Sequence, residues 1–282
     1  MIQTPIESIS FQKDFPGFAH AIGESFERHG FAVISDHGLA PELIEAMAVD
    51  ARAVFALPDP VKARYRVDGG AGQRGYTPFA VETAKDASSP DLKEFWHVGR
   101  QADQISGPFL TNVWPREVPS FRAHALALFD AFEILGGRIL HAIEAHLGLP
   151  GEFLERATKD GNSVLRLLRY PPTDFSGPAL RAGPHEDINA ITLLLGAEEA
   201  GLEILNRDGT WLAVNPPSGA VVVNIGDMLA RLTNDVLPST THRVVNPAPE
   251  RRGVARYSMP FFLHFRSDFM IKTLPECVTL AR

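Results

Sequence analysis

The sequence has little cysteine, no long apolar run and no excess of positive charge, and each of these features excludes a class of protein. Its single cysteine, Cys277, cannot form an internal disulfide and cannot build a thiolate metal site alone. No window of about eighteen residues is uninterruptedly apolar, so no membrane span is expected. The formal net charge of −7 argues against nucleic acid or an anionic membrane as the main partner.

The N-terminus also lacks a basic stretch followed by an apolar one, so no secretory signal is predicted and we expect a cytoplasmic protein. Of the 282 residues, 45% are hydrophobic and 22% charged, which is enough to bury a sizeable core. Glycine and proline are scattered, and no repeat or linker is visible. We therefore expect one domain over residues 1–282, in which any metal is bound by histidine and carboxylate. No pattern indicates an oligomeric state.

The front part of the chain has the periodicity of helices. Phe18, Ile22 and Phe26 are spaced by four between Pro16 and Gly30, which predicts an amphipathic helix with a glycine at its end. Further helices are predicted from residue 41 and over residues 119–147, and a short buried strand over residues 31–34. Residues 1–160 are thus expected to form a helix-rich part that wraps the core.

After residue 161 the sequence changes to short β-rich runs separated by Gly, Pro and Asp-Gly turns. The predicted strands are 164–170, 191–195, 202–205, 211–214, 220–225, 241–245 and 256–265. Strands at this spacing are typical of a β-sandwich or barrel, of which the jelly roll is one form. The fold class expected is mainly β with flanking helices, with the site carried by residues 161–282.

Three residues of the β part have the chemistry of a metal site. His185 and Asp187 lie two apart where an extended segment begins, so both side chains point to one face. His242 begins a later strand that a barrel can bring beside them. Two imidazoles and one carboxylate on one face of a metal leave three positions open, as in non-haem Fe(II) oxygenases. Taken alone the pattern is weak, because isolated histidines are common in cores.

A second pair of residues suits an anion. Arg256 and Ser258 share one face of the last predicted strand, and the planar fork of an arginine pairs with both oxygens of a carboxylate. An arginine inside a β core needs an anionic partner. From these residues alone, that partner is either a protein carboxylate or a ligand.

Ordered motifs along nearly the whole chain connect these features. They are residues 26–38, 74–76, 91–95, 165–172, 185–187, 201–203, 224–227, 242–244 and 256–262. In this order and spacing the chain resembles the 2-oxoglutarate and Fe(II)-dependent oxygenases of the isopenicillin N synthase-like group. Departures are Leu168, where many plant members have asparagine, and Glu186, where threonine is frequent. The sequence stops at Arg282, where members commonly continue, which suggests a shortened chain or an open pocket.

The resemblance implies a double-stranded β-helix (jelly-roll) core and a defined cofactor set. Fe(II) would be bound by His185, Asp187 and His242. The distal carboxylate of 2-oxoglutarate would meet Arg256 and Ser258, with Tyr170 as a further contact. No catalytic side chain is expected beyond the metal ligands. The implied reaction uses O₂ to hydroxylate, desaturate or cyclise a small molecule, with release of succinate and CO₂.

Residues 74–79 and 93–100 are candidates for the pocket mouth by their position in the family. Tyr76, Phe79 and Trp96 could stack on a substrate ring, and Arg74 or Arg100 could meet an acid. The opposing interpretation places Phe95 and Trp96 in the core and the arginines in solvent.

Other functions remain open at this point. An Fe(II) oxidase of the isopenicillin N synthase type would use O₂ without 2-oxoglutarate, because the Arg256–Ser258 pair recognises an anion rather than a particular anion. A non-catalytic binding module would need neither the metal ligands nor this pair. A zinc hydrolase fits the ligand set, but no general base stands beside it in the sequence.

Overall fold

The computed structural model describes residues 6–69, 72–83, 89–101, 110–172, 179–195 and 200–278. The chain end at Arg282, where an open pocket was expected, lies outside these residues. None of the described helices is long and apolar enough to cross a membrane.

The described residues form six α-helices, and the three predicted ones are confirmed. They are α1 (Phe15–His29), α2 (Pro41–Phe55), α3 (Asp59–Lys62), α4 (Phe121–Leu147), α5 (Phe153–Thr158) and α6 (Asp227–Leu232). Helix α1 buries Phe18, Ile22 and Phe26 as its spacing predicts. It ends at Gly30, whose φ of 66° is the left-handed conformation that glycine adopts without strain.

Twelve strands are present in the same residues, and they include all seven predicted after residue 161. They are β1 (Ser8–Ser10), β2 (Phe31–Ser35), β3 (Gly75–Thr77), β4 (Glu94–Gly99), β5 (Val164–Tyr170), β6 (Ala182–His185), β7 (Ile191–Leu195), β8 (Leu202–Leu205), β9 (Trp211–Ala213), β10 (Val221–Ile225), β11 (His242–Val244) and β12 (Arg256–Leu263). The short strand predicted over 31–34 is β2. Strands β1, β3, β4 and β6 are additions, and the first three lie in the part expected to be helix-rich.

The strands form two sheets that face each other. The larger has the order β1-β2-β10-β7-β12-β5-β4-β3, and the smaller has the order β6-β11-β8-β9. Side chains from both sheets line one cavity between them. This is the double-stranded β-helix core with flanking helices that the sequence predicts. The division at residue 160 stays a prediction, although β2 and β4 of the front part pair with β10 and β5 of the later part.

Helix α4 covers the outer face of the large sheet. Strand β12 contacts this helix with one face and lines the cavity between the sheets with the other. Phe261 stacks on Phe132 of α4 with ring centroids 5.2 Å apart, and Phe129 meets the same ring edge-on at 5.0 Å. Successive residues of a strand point to opposite faces. The alternate residues Arg256 and Ser258 therefore point into the cavity between the sheets.

Candidate metal centre and active site

Strand pairing brings the two predicted histidines together. His242 on β11 and His185 on β6 are direct partners in the antiparallel ladder, and their ring centroids lie 4.4 Å apart. Asp187 follows β6 by two residues, with Oδ1 4.0 Å from Nε2 of His185 and Oδ2 3.9 Å from Nε2 of His242. One ligand atom from each of the three residues lies within 4.8 Å of the other two.

Hydrogen bonds to backbone carbonyls fix the orientation of both imidazoles. Nδ1 of His185 donates to the carbonyl of Gly183 at 2.7 Å, and Nδ1 of His242 donates to the carbonyl of Thr240 at 3.1 Å. Each ring therefore donates through Nδ1 and directs Nε2 toward Asp187. Such hydrogen bonds select the tautomer of a metal-binding histidine.

The carboxylate of Asp187 is fixed from the opposite sheet. Its Oδ2 accepts hydrogen bonds from the hydroxyl of Thr192 at 2.6 Å and from Nδ2 of Asn224 at 2.8 Å. Within the described residues, Oδ1 accepts no hydrogen bond and is left for a metal. The sequence does not indicate these two donors, because they lie 5 and 37 residues from Asp187.

The charges of the cluster suit a divalent cation. Burial raises the pKa of Asp187, but His242, His185 and the two hydrogen-bond donors outweigh burial, so the pKa is lowered and the group stays ionised. Burial, followed by the proximity of His242, lowers the pKa of His185 and favours the neutral ring. Metal binding requires this combination of neutral imidazole and ionised carboxylate. Two imidazole nitrogens and one carboxylate oxygen fit Fe(II) and leave coordination positions open.

The predicted anion pair lies in the same cavity, on the facing sheet. Arg256 is buried at 2% exposure, and its Nη1 donates to the hydroxyl of Ser258 at 3.4 Å. Tyr170 of β5 is the ladder partner of Arg256, and its ring centroid lies 5.1 Å from the guanidinium carbon. The three residues predicted to hold 2-oxoglutarate are thus brought together. Leu168, which departs from the family pattern, packs with Tyr170 in a small apolar cluster.

The cavity joins the two sets of residues, and a larger chamber adjoins it. His185, Asp187, His242, Arg256, Ser258 and Tyr170 all line the cavity. The chamber, of about 420 Å³, is also lined by His185 and Asp187. Most of the residues that line it have polar side chains. A metal held by these ligands would therefore border both the cavity that contains Arg256 and the adjoining chamber.

The structure separates the residues predicted at the pocket mouth. Trp96 is fully buried in the core between Tyr65 and Phe121, and Tyr76 is buried with its hydroxyl donating to Glu94. Neither ring lines the chamber. The core interpretation of Trp96 is confirmed, and so is that of Phe95, which is 3% exposed.

The remaining candidates at the mouth also lie elsewhere. Arg100 pairs with Glu133 of α4, and Phe79 is 44% exposed. Arg74 is buried and donates through Nη2 to the side chain of Asn162. Two other residues of the predicted mouth segment 93–100, Lys93 and His97, line the chamber.

Sequence reasoning missed Arg166 and His264, which line the chamber as well. Arg166 lies on β5 two residues before Leu168 and four before Tyr170, so strand alternation alone places it on the inner face. His264 directly follows the last residue of β12, and the two-residue alternation places it on the same face as Arg256 and Ser258. Both could have been found by extending the same two-residue spacing that identified Arg256 and Ser258.

Comparison with known proteins settles the family. Residues 161–265 match the family model of the 2OG-Fe(II) oxygenase superfamily, and residues 5–117 match that of the non-haem dioxygenase in morphine synthesis N-terminal region. The 2-oxoglutarate-Fe(II) type oxidoreductase hxnY of Emericella nidulans is 34% identical over 273 residues, which cover 91% of this chain and 76% of hxnY. The chain belongs to the 2OG-Fe(II) oxygenase superfamily.

Solved structures of this superfamily have the same fold. A 2OG-Fe(II) oxygenase family protein from Caulobacter crescentus is 54% identical, with a TM-score of 0.89 over 99% of this chain and 92% of that one. A full-length Neurospora crassa protein, crystallised in complex with alpha-KG, is 27% identical with a TM-score of 0.87, over 97% of this chain and 89% of that one. The protein is an Fe(II)- and 2-oxoglutarate-dependent dioxygenase that acts on a small molecule, as predicted. The O₂-only oxidase is not supported.

Proposed function

We propose that His185, Asp187 and His242 hold the iron, and that Arg256 and Ser258, with Tyr170, hold the distal carboxylate of 2-oxoglutarate. The observation that carries this proposal is the shared cavity, which has a three-ligand cluster on one wall and a buried arginine on the other. A buried guanidinium binds a carboxylate through two parallel hydrogen bonds, and such pairs are strong where water is excluded.

When bound, Fe(II) and 2-oxoglutarate supply the oxidising chemistry: O₂ is consumed, 2-oxoglutarate becomes succinate and CO₂, and a substrate C–H bond is oxidised. The chain's own residues bind and orient. Asp187 and the two histidines would hold the ion through three ligand atoms, and a cluster of this kind leaves coordination positions for other ligands. Arg256 fixes the cosubstrate by the end that does not react. Because the substrate step removes a hydrogen from carbon, no general acid or base is required, and none is proposed.

The chamber beside His185 and Asp187 is proposed as the substrate site. Its volume of about 420 Å³ suits a small molecule, and its polar side chains suit one that carries hydrogen-bonding groups. Relatives whose structures were solved with small molecules support this. The Neurospora crassa protein was crystallised with thymine and with 5-formyluracil, and JOX2 with JA. Whether the product is hydroxylated, desaturated or cyclised depends on the substrate.

Anaerobic titration of the metal-free protein with Fe(II) and then with 2-oxoglutarate tests the proposal. We expect a weak visible charge-transfer band, and slow succinate release when air is admitted. His242→Ala should lose iron binding, whereas Arg256→Lys should bind iron normally and bind 2-oxoglutarate much more weakly. Arg52→Lys, on the outer face of α2, is the control. Iron binding by His242→Ala, or an unchanged band in Arg256→Lys, would show that the assigned residues are wrong.

A further inference from the structure

Arg166 connects the cosubstrate cavity with the substrate chamber. It lies on β5 between the strands that carry His97 and Arg256, and its side chain lines both spaces. The metal and cosubstrate assignments above leave this residue without a role.

The guanidinium of Arg166 is contacted on three sides by neighbouring side chains. Its central carbon lies 4.2 Å from the ring centroid of Phe95 and 5.2 Å from that of Phe262. Its Nε donates to Nε2 of His97 at 2.5 Å, and Nδ1 of His97 donates to the carbonyl of Gly72 at 2.6 Å. Burial, and then the charge of Arg166, lower the pKa of His97 well below its usual value, so the ring is a neutral acceptor. Nη1 and Nη2 are left to meet a partner.

In this structure the carboxylate of Glu82 is the partner of Nη1 and Nη2. Its contact with Arg166 is longer than its contact with Lys93. Nη1 and Nη2 of Arg166 lie 3.2 and 3.3 Å from the carboxylate oxygens, whereas Nζ of Lys93 lies 2.6 Å from Oε2. Charge-assisted pairs with arginine are usually about 2.7–2.9 Å long. Burial raises the pKa of Glu82, but the charges of Arg166 and Lys93 outweigh burial and lower it to about 2. Glu82 is therefore an ionised carboxylate where it contacts the guanidinium of Arg166.

Glu82 can leave the fork without losing its charge partner. It lies outside any strand and is one-third exposed, whereas Lys93 is buried and contacts it more closely. A carboxylate that moved away from Arg166 while staying on Lys93 would keep its shorter ion pair. The desolvation cost of separating a buried pair would thereby be avoided.

The charges around the chamber leave room for one more anion. Lys93 and Arg166 on its walls are cationic, and so is the buried Arg74, which donates to a wall residue. Two carboxylates, Glu82 and Asp91, oppose them. Two further acidic residues line the walls: Asp187, which belongs to the metal cluster, and Glu186, which is exposed to solvent. Among the residues that the structure describes, no carboxylate pairs with Arg74. Among the described residues, the two wall cations and the neighbouring Arg74 face two carboxylates, which favours a ligand with a single negative charge.

We propose that the substrate carries a carboxylate, which binds Nη1 and Nη2 of Arg166 in the place taken by Glu82, while Glu82 remains on Lys93. The inference rests on the proposed function, because it requires the chamber to be the substrate site. It makes Arg166 a specificity-determining residue and Glu82 an internal competitor of the substrate.

Binding of small acids and their neutral amides tests the proposal. Benzoate, phenylacetate and cyclohexanecarboxylate, each beside its primary amide, are titrated calorimetrically into the anaerobic Fe(II)–2-oxoglutarate protein. At least one acid should bind ten-fold or more tightly than its amide. Arg166→Gln should abolish this preference, and Arg166→Lys should keep part of it, because a lysine retains the charge but not the fork. Glu82→Gln should tighten acid binding about three- to ten-fold and leave amide binding unchanged.

A matched arginine–glutamate pair provides the control. Arg243 and Glu203 pair at 2.7 Å between neighbouring strands and do not line the chamber, so Arg243→Gln and Glu203→Gln should change neither ligand. Equal binding of acids and amides by the wild type would overturn the proposal. A preference for acids that survives in Arg166→Gln would also overturn it. If Arg166→Gln instead lost 2-oxoglutarate binding, Arg166 would belong to the cosubstrate site and the proposal would be wrong. If the wild-type protein with Fe(II) and 2-oxoglutarate shows no charge-transfer band, the proposed function itself is refuted.

Discussion

The hydroxyl of Thr192 donates a 2.6 Å hydrogen bond to Oδ2 of Asp187, and the two residues belong to opposite sides of the cavity. Thr192 lies on β7 of the large sheet, whereas Asp187 follows β6 of the small one. Nδ2 of Asn189 donates in turn to the hydroxyl of Thr192 at 2.8 Å. The carboxylate is thus oriented by a chain of hydrogen bonds that also ties the sheets together where the metal ligands converge.

Thr192→Val should weaken iron binding without unfolding the protein. Valine has nearly the same shape but cannot donate, so one of the two hydrogen bonds that orient Asp187 is lost. Partners of metal ligands typically contribute about 10- to 100-fold to affinity, and we expect a loss of about ten-fold. Competition with a chelator of known affinity measures it.

Thr233→Val is the control for this substitution. Thr233 is equally buried, but its hydroxyl donates to the carbonyl of Leu229 within its own segment. Iron affinity should stay at the wild-type value. Equal iron affinities in both variants would show that Thr192 does not support the ligand.

Tyr170→Phe should weaken 2-oxoglutarate binding and leave iron binding unchanged. The Tyr170 hydroxyl interacts with Arg256, and this interaction opposes the lowering of the Arg256 pKa by burial. The proposed contact of this hydroxyl with the cosubstrate carboxylate is a hydrogen bond to a charged group, which contributes about 1.5–3 kcal/mol, so a loss of roughly ten-fold or more in affinity is expected. Anaerobic calorimetry with 2-oxoglutarate measures it. Tyr65→Phe, whose hydroxyl donates to Glu117 at the surface, should behave as the wild type. An unchanged affinity in Tyr170→Phe would remove Tyr170 from the cosubstrate site.

The metal cluster could be predicted because its geometry follows from local spacing. His185 and Asp187 share a face by alternation, and His242 is the first residue of a strand that pairs with β6. The donors to Asp187 could not be predicted in this way. Thr192 and Asn224 face the ligand only because two sheets stack, and no periodicity in the sequence records which side chains meet across such a gap.

The additional strands show where pattern reasoning fails in the fold. Strand β4 is buried along its whole length, so it lacks the polar alternation that predicts a strand. It also contains Glu94, a buried carboxylate that pairs with Lys62 at 2.7 Å and Arg169 at 2.6 Å. A charged residue in a strand buried on both faces is stable only with such long-range partners, which the sequence does not show.

Phe261→Ala should destabilise the fold through the contact between α4 and the large sheet. The ring is fully buried against Phe129 and Phe132, and its removal leaves a cavity that the helix cannot easily fill. Such substitutions cost about 3–5 kcal/mol. Urea unfolding followed by circular dichroism measures the loss. Phe15→Ala, at a side chain 44% exposed, should cost far less. Similar costs for the two variants would show that this packing does not contribute as argued.

His97 should make the protein less stable as the pH falls. Burial and the charge of Arg166 lower the pKa of His97 well below 6.5 in the folded chain. As the pH falls through about 6.5, His97 of the unfolded chain takes up a proton that the folded chain does not, so unfolding becomes more favourable. His97→Gln removes this contribution and should show a shallower fall in the free energy of unfolding from pH 7 to pH 5.

The pH test is best made on chelator-treated protein, so that metal release does not add to the dependence. Burial lowers the pKa of His185 and His264 as well, but both remain in the variant, so the difference between the two proteins isolates His97. That difference should shrink by up to about 1.4 kcal/mol per pH unit below 6.5. His20→Gln, at an exposed position on α1, controls for loss of a surface histidine. A difference that stays constant from pH 7 to pH 5 would mean that His97 is protonated in the folded chain, and its acceptor role toward Arg166 would then be wrong.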